Sequence, residues 1–124
     1  MSLNLNKAYV GGRLTRKPEL KEFEGGKKVC EFSIATNQDW KDKVTGEKKS
    51  KPTYHNIKVW GGMIDTCMKY LDKGSEVLVE GRIDRSQSET GNGEKREYTF
   101  ITAKYVNFAG SKKENSFQNV EGNV

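Results

Sequence analysis

Tyr54-His55-Asn56-Ile57-Lys58-Val59-Trp60-Gly61-Gly62-Met63-Ile64-Asp65-Thr66-Cys67-Met68-Lys69-Tyr70-Leu71-Asp72-Lys73-Gly74 decides the fold, because the spacing of its apolar residues changes part-way along. Up to Trp60 the side chains follow the period of two of an extended strand. Tyr54, Asn56, Lys58 and Trp60 share one face, and His55, Ile57 and Val59 the other. Beyond Gly62, Ile64, Cys67, Met68 and Leu71 recur at i, i+3, i+4 and i+7, which predicts a short helix packing one apolar stripe on a sheet. Asp65 lies in its first turn and Lys69 and Lys73 near its end, where the helix dipole favours each sign, and Gly74 supplies the stop.

Upstream, Lys7 to Leu14 reads as a strand interrupted by Gly11-Gly12, a pair that suggests a bulge or bend letting one strand serve two sides of a barrel. Turns at Lys17-Pro18-Glu19 and Glu24-Gly25-Gly26-Lys27 lead into a second strand, Val29 to Asn37, with Cys30, Phe32 and Ile34 on one face. Gln38 to Lys51 is polar with a Thr45-Gly46 turn signal, so it reads as a long hairpin loop carrying Trp40 before the third strand. Downstream, Glu76 to Arg85 turns Val77, Val79 and Ile83 one way. Gln87 to Lys95, with Gly91-Asn92-Gly93, reads as a hairpin loop. In the last strand, Arg96 to Phe108, Ile101, Ala103 and Tyr105 alternate against Tyr98, Phe100 and Val106.

Three strands, a helix and two strands match an all-β, five-stranded OB-type barrel with one α-helix between strands 3 and 4, whose common ligands are oligonucleotides and oligosaccharides. Residues 1–108 form one such domain. Residues 109–124, rich in Gly, Ser, Asn, Lys and Glu with Phe117 and Val120 isolated, read as a flexible C-terminal tail. With 33% hydrophobic and 31% charged residues in 124, the core is thin, and oligomerisation would help a domain of this size. The formal charge of +5 favours polyanion partners without requiring them. Cys30 and Cys67 form no CxxC and have no His-rich neighbourhood, so no metal or other cofactor is expected. The N-terminus lacks a charged and apolar leader and no apolar run spans a bilayer, which reads as a cytoplasmic chain with buried free thiols and no membrane partner.

Function is carried by flat rings among cations. Trp40, Tyr54 and Trp60 lie among Lys41, Lys43, Lys48, Lys49, Lys51 and Lys58. A single nucleic-acid strand offers a π-face to stack on rings and a phosphate to pair with Lys at every nucleotide, so such a surface binds without reading sequence. The other reading of Tyr54 and Trp60 is amphipathic cover over an apolar patch, and of each lysine, a solvated surface charge.

Asn6-Lys7, Leu14-Thr15-Arg16-Lys17-Pro18-Glu19-Leu20, Phe32-Ser33-Ile34-Ala35-Thr36-Asn37, Trp40-Lys41-Asp42-Lys43 with Thr45-Gly46-Glu47, Tyr54-His55, Tyr70-Leu71-Asp72-Lys73-Gly74-Ser75 and Val79-Glu80-Gly81-Arg82 follow in order. Together they resemble the bacterial and bacteriophage single-stranded DNA-binding protein family over the chain to about Phe108. The resemblance implies an OB-fold, usually a homotetramer with a dimer as the other option, that coats and protects single-stranded DNA in replication, recombination and repair. It implies base stacking by Trp40, Tyr54 and Trp60 and phosphate contacts by Lys7, Lys43 and Lys73. Lys49 and Lys58 are phosphate-binding candidates from the local pattern. His55 and Leu78 match subunit-contact positions. Two departures stand out: Ser86-Gln87-Ser88 replaces a region where the family commonly has another stacking tryptophan, with Asp84 and Ser86 at two basic positions, and Glu121-Gly122-Asn123-Val124 replaces the acidic tip that recruits replication or repair proteins.

Two other classes of function compete with this one. Nuclease chemistry would need a carboxylate cluster or a His acting as base, and His55 is the only histidine, with no paired acidic motif beside it, so no catalytic residue is expected. A replication-restart or RNA-binding docking module with the same barrel would stack fewer bases, and the rings at 40 and 60 argue against it.

Overall fold

The computed structural model describes residues 2–89, 91–109 and 118–121. In chain order the elements are β1 (Ala8–Leu14), β2 (Glu19–Glu22), β3 (Lys28–Lys41), β4 (Lys48–Trp60), α1 (Met63–Tyr70), β5 (Glu76–Glu89), β6 (Lys95–Ala109) and β7 (Gln118–Glu121). Neighbours run β1-β5-β6-β4-β3, and β1 pairs again with β3, so these five strands close into a barrel with α1 between its third and fourth strands. All barrel pairings are antiparallel except β4 with β6, the pair that shuts an OB barrel. The expected fold class is the one observed.

Closure depends on β1. It pairs with β5 from Ala8↔Gly81 to Arg13↔Glu76, then with β3 at Arg13↔Ala35 and Leu14↔Ile34. At the crossing the backbones nearly touch: a Cβ on Gly12 would lie 2.2 Å from the Ala35 carbonyl oxygen. Gly12 thus lets one strand turn between two partners.

The core follows the strand alternation. Cys30, Phe32 and Ile34 of β3, Ile57 and Val59 of β4 and Val77 and Val79 of β5 are buried against Met63, Ile64 and Cys67 of α1. Both cysteines are free, and burial pushes the Cys30 thiol up to about 11 and the Cys67 thiol up to about 12. One alternation breaks. Val106, expected opposite Ile101 and Ala103, is buried with them, because the β5–β6 register slips between Glu80 and Gly81. Lys104 bulges out there, and one extra residue exchanges the faces of β6. Ile83 is 49% exposed where this hairpin leaves the barrel, its backbone held by the Asn6 side chain, which accepts from the Ile83 N–H and donates to its carbonyl.

Both stretches expected as long loops are mostly strand. β3 and β4 pair without interruption from Val29↔Trp60 to Lys41↔Lys48, leaving only a short turn in place of the Gln38–Lys51 loop. β5 and β6 pair to Glu89↔Lys95 around Gly91-Asn92-Gly93, in place of the Gln87–Lys95 loop. Polar residues disguise these arms because a two-stranded ribbon with water on both faces needs no apolar alternation. β2 was hidden in the same way: all four of its residues are exposed. Of the expected tail, 110–117 and 122–124 lie outside the described residues, while Gln118–Glu121 forms β7 against Tyr105–Phe108 of β6. The recorded β4–β6 pairs stop at Lys58↔Thr102, so that part of β6 presents an edge that β7 covers.

Candidate nucleic-acid interface

β4 places its polar and aromatic side chains on the outer face of the barrel. Ile57 and Val59 point inward at 1% and 0% exposure, which forces Tyr54, Asn56, Lys58 and Trp60 outward, with Tyr54 63% and Trp60 41% exposed. Lys58 sits at the centre of this face. Its Nζ lies 4.2 Å from the centre of the Phe100 ring and 3.9 Å from the Glu31 carboxylate. Phe100 and Tyr98 project from β6 into the same groove, a cavity of about 540 Å³ also lined by Asn56, Arg16 and Lys21. Rings, cations and amide groups thus share one open surface.

Trp40 is 44% exposed but does not stand on a loop above this face. It lies in β3 opposite Lys49, and the unbroken register puts it in phase with Phe32 and Ile34, on the other face of the ribbon from Tyr54 and Trp60. Trp40, expected on a hairpin loop, is corrected to a strand residue: two rings stand on the outer face and the third on the reverse of the arm. The arm ends in a turn built on Asp42, whose Oδ1 accepts the N–H groups of Val44 at 2.8 Å and Thr45 at 3.3 Å. The Val44 N–H, then Lys49, hold this carboxyl below the usual carboxylate range.

The five candidate phosphate lysines fall into two groups. Lys7 pairs with Glu80 at 3.4 Å, Lys49 with Asp42 at 3.2 Å and Lys58 with Glu31. The Lys7 ammonium is held above its ordinary value by Tyr9 and then Glu80. Lys43, in the ribbon turn, and Lys73, in the turn after α1, are exposed and form no ion pair among the described residues. His55 shares a 2.9 Å hydrogen bond with the Thr36 hydroxyl, and Leu78 is half-buried on β5 opposite Gly11. Asp84 is tied to Thr102 and Arg82, and those hydrogen bonds, Thr102 first, hold its carboxyl below the usual range.

Sequence reasoning missed two parts of this surface as functional. Tyr98 and Phe100 were legible as one face of a strand, yet only β4–β6 pairing brings them beside Lys58. Phe23, which precedes the turn read at Glu24–Lys27 and takes no role in that reading, stacks on Trp60 with ring centres 6.2 Å apart. That contact joins the turn after β2 to the end of β4 and left no local signal.

A family model described as the single-strand binding protein family matches residues 5–109, the whole barrel. The chain belongs to this family. Its relatives include single-stranded DNA-binding protein 1 of Xylella fastidiosa, 34% identical over 91% of this chain and 83% of that protein. The single-stranded DNA-binding protein of Neisseria meningitidis is 34% identical over 92% of this chain, which spans only 65% of that longer protein. Among solved structures, a Plasmodium falciparum SSB complex with ssDNA superposes with a TM-score of 0.75 at 33% identity, covering 98% of this chain and 99% of that one. A deletion mutant of the single-stranded DNA binding protein from Thermus aquaticus superposes with a TM-score of 0.67 at 25% identity, covering 95% of this chain and 51% of that one. Among the described residues of this family member, no three His, Cys, Asp or Glu side chains gather as a metal site would need, and no helix is long and apolar enough to cross a membrane.

Proposed function

We propose that the chain binds single-stranded DNA with little regard to base sequence, coating and protecting strands exposed in replication, recombination and repair. The observation that carries this reading is the outer face of β4, where Tyr54 and Trp60 stand open to solvent on either side of Lys58. Unpaired bases stack on Tyr54 and Trp60, and Trp40 stacks a base on the reverse of the arm as the strand wraps the ribbon. A duplex keeps its bases in its own stack and cannot use these rings. Lys7, Lys43, Lys49, Lys58 and Lys73 neutralise phosphates. For Lys7, Lys49 and Lys58 the strand takes the place of a carboxylate, a small cost because exposed ion pairs contribute only ~0–1 kcal/mol. No bond is made or broken.

Residues 1–108 are the binding domain in this reading, with the tail outside the site. The protein assembles as a homo-oligomer, a tetramer by preference, through contacts that include His55 and Leu78, and it acts in the cytoplasm. Five lysines on phosphates give a log–log salt slope of about −3.5, so raising salt fourfold weakens binding about a hundredfold. The test is a competition assay with light scattering. Excess duplex of the same length leaves a labelled oligo-thymidine bound, and the scattering mass gives subunits per strand; displacement by duplex at equal concentration refutes the reading.

A further inference from the structure

Past Trp60 the aromatic surface continues onto a segment that neither strand pattern nor family resemblance singled out. Phe23 leaves β2 and enters a tight turn closed by the Phe23 N–H donating to the Lys27 carbonyl at 2.7 Å, with Gly25 and Gly26 at φ of 85° and 83°. Those left-handed angles, easy only for glycine, fold the turn back and hold Phe23 against Trp60. The ring planes lie 23° from parallel, and both rings stay half-open, Phe23 at 49% and Trp60 at 41% exposure. Phe23, Lys27, Lys28, Trp60 and Gly61 line a shallow cavity of about 670 Å³, separate from the groove around Lys58. Among the described residues no carboxylate pairs with Lys27 or Lys28, although Glu24 lies in the same turn.

We propose that Phe23 stacks the base next to the one carried by Trp60 and that Lys27 and Lys28 hold the phosphates flanking it, extending the strand path by one nucleotide over the β2–β3 turn. This rests on the strand-binding reading of the β4 face. The occupant is the same single strand, for three reasons. The platform is continuous with Trp60. Both rings of the offset pair, 6.2 Å apart, keep about half their surface open, so neighbouring bases of one strand can each meet a ring. Two lysines beside an aromatic pair supply the same combination of charge and π-face found around Lys58.

A packing role must be separated from a stacking one, because Val29, directly opposite Trp60 in β3, is fully buried outside the main core cluster and the ring pair is placed to cover it. Phe23→Leu keeps apolar cover and removes the flat face; Phe23→Trp keeps the face. Oligo-thymidine affinity is measured for wild type, F23A, F23L, F23W and W60A, with thermal melting of each. The proposal expects F23A and F23L each to bind about tenfold more weakly while F23W binds at least as well as wild type. The double variant K27Q/K28Q flattens the salt slope by about 1.4. F23L binding like wild type while F23A is weakened assigns Phe23 to packing and overturns the proposal. Normal binding by both F23A and F23L with W60A weakened overturns it too, leaving the strand-binding reading intact. A wild-type protein that ignores oligo-thymidine overturns both.

Discussion

Glu31 occupies the groove that the strand would follow, and its removal should tighten binding. It lies opposite Lys58 in β4 and Glu19 in β2, and its carboxylate pairs with Lys21 at 3.2 Å and Lys58 at 3.9 Å. A phosphate that takes Lys58 therefore comes within roughly 6–7 Å of a like charge. At an effective dielectric of about 40 to 80 for this half-open site, that repulsion is about 0.6–1.3 kcal/mol. Glu31→Gln keeps the side-chain shape and removes the charge. The expected gain in oligo-thymidine affinity is about three- to ninefold at low salt, shrinking as screening shortens the reach of the charge. Fold stability should barely change, since two partly exposed ion pairs worth about 1 kcal/mol or less each are lost while the Glu19–Glu31 cross-strand repulsion disappears. Fluorescence titration near 50 mM and 200 mM salt, with a thermal melt of each protein, reads both quantities. Unchanged or weaker low-salt binding by a variant that melts like wild type would refute the placement of the strand beside Lys58.

Gly12→Ala should open the β1–β3 seam, because its Cβ would meet the Ala35 backbone oxygen; overpacking of ~1–3 kcal/mol plus loss of the Thr15–Ser33 hydrogen bond lowers the melting temperature by about 10 °C, whereas Gly91→Ala, with nothing near its Cβ, melts within about 2 °C of wild type. Asp84 has a depressed folded-state pKa, so its stabilisation is present above the ordinary carboxylate value and lost as pH falls through the folded one; Asp84→Asn should melt below wild type at pH 7, with the gap closing as pH falls below the ordinary carboxylate range in pH-resolved melts. Cys30 and Cys67, with thiols pushed up to about 11 and about 12, should resist a thiol reagent at pH 8 in the native protein and react within the dead time in denaturant; fast native labelling would contradict their burial.

The barrel was legible wherever one face of a strand meets the core. Cys30, Phe32, Ile34, Ile57 and Val59 alternate because burial is one-sided, and the stripe Ile64, Cys67, Met68 placed the helix. What failed was structure without a buried face: the ends of β3 and β4 and all of β2 are exposed on both sides, so pairing rather than hydrophobicity holds them. The Lys104 bulge reversed the phase of Val106 for a reason that exists only between strands. At the site, Tyr54, Lys58 and Trp60 were readable from one strand's parity. Trp40 was found as a residue but not as a face, because its side depends on the register continuing past Asn37. Phe23 and Phe100 reach the surface through contacts across the fold, 6.2 Å to Trp60 and 4.2 Å to Lys58, which no window of sequence contains.

Intrinsic tryptophan emission reports whether the exposed rings on β4 stack unpaired bases. Adding oligo-thymidine to wild-type protein should quench the indole signal to a saturating endpoint, and replacing both Tyr54 and Trp60 by Ala should cost most of the affinity while the melt stays cooperative. Emission indifferent to the strand, or a double variant binding as tightly as wild type, would rule out stacking on these rings.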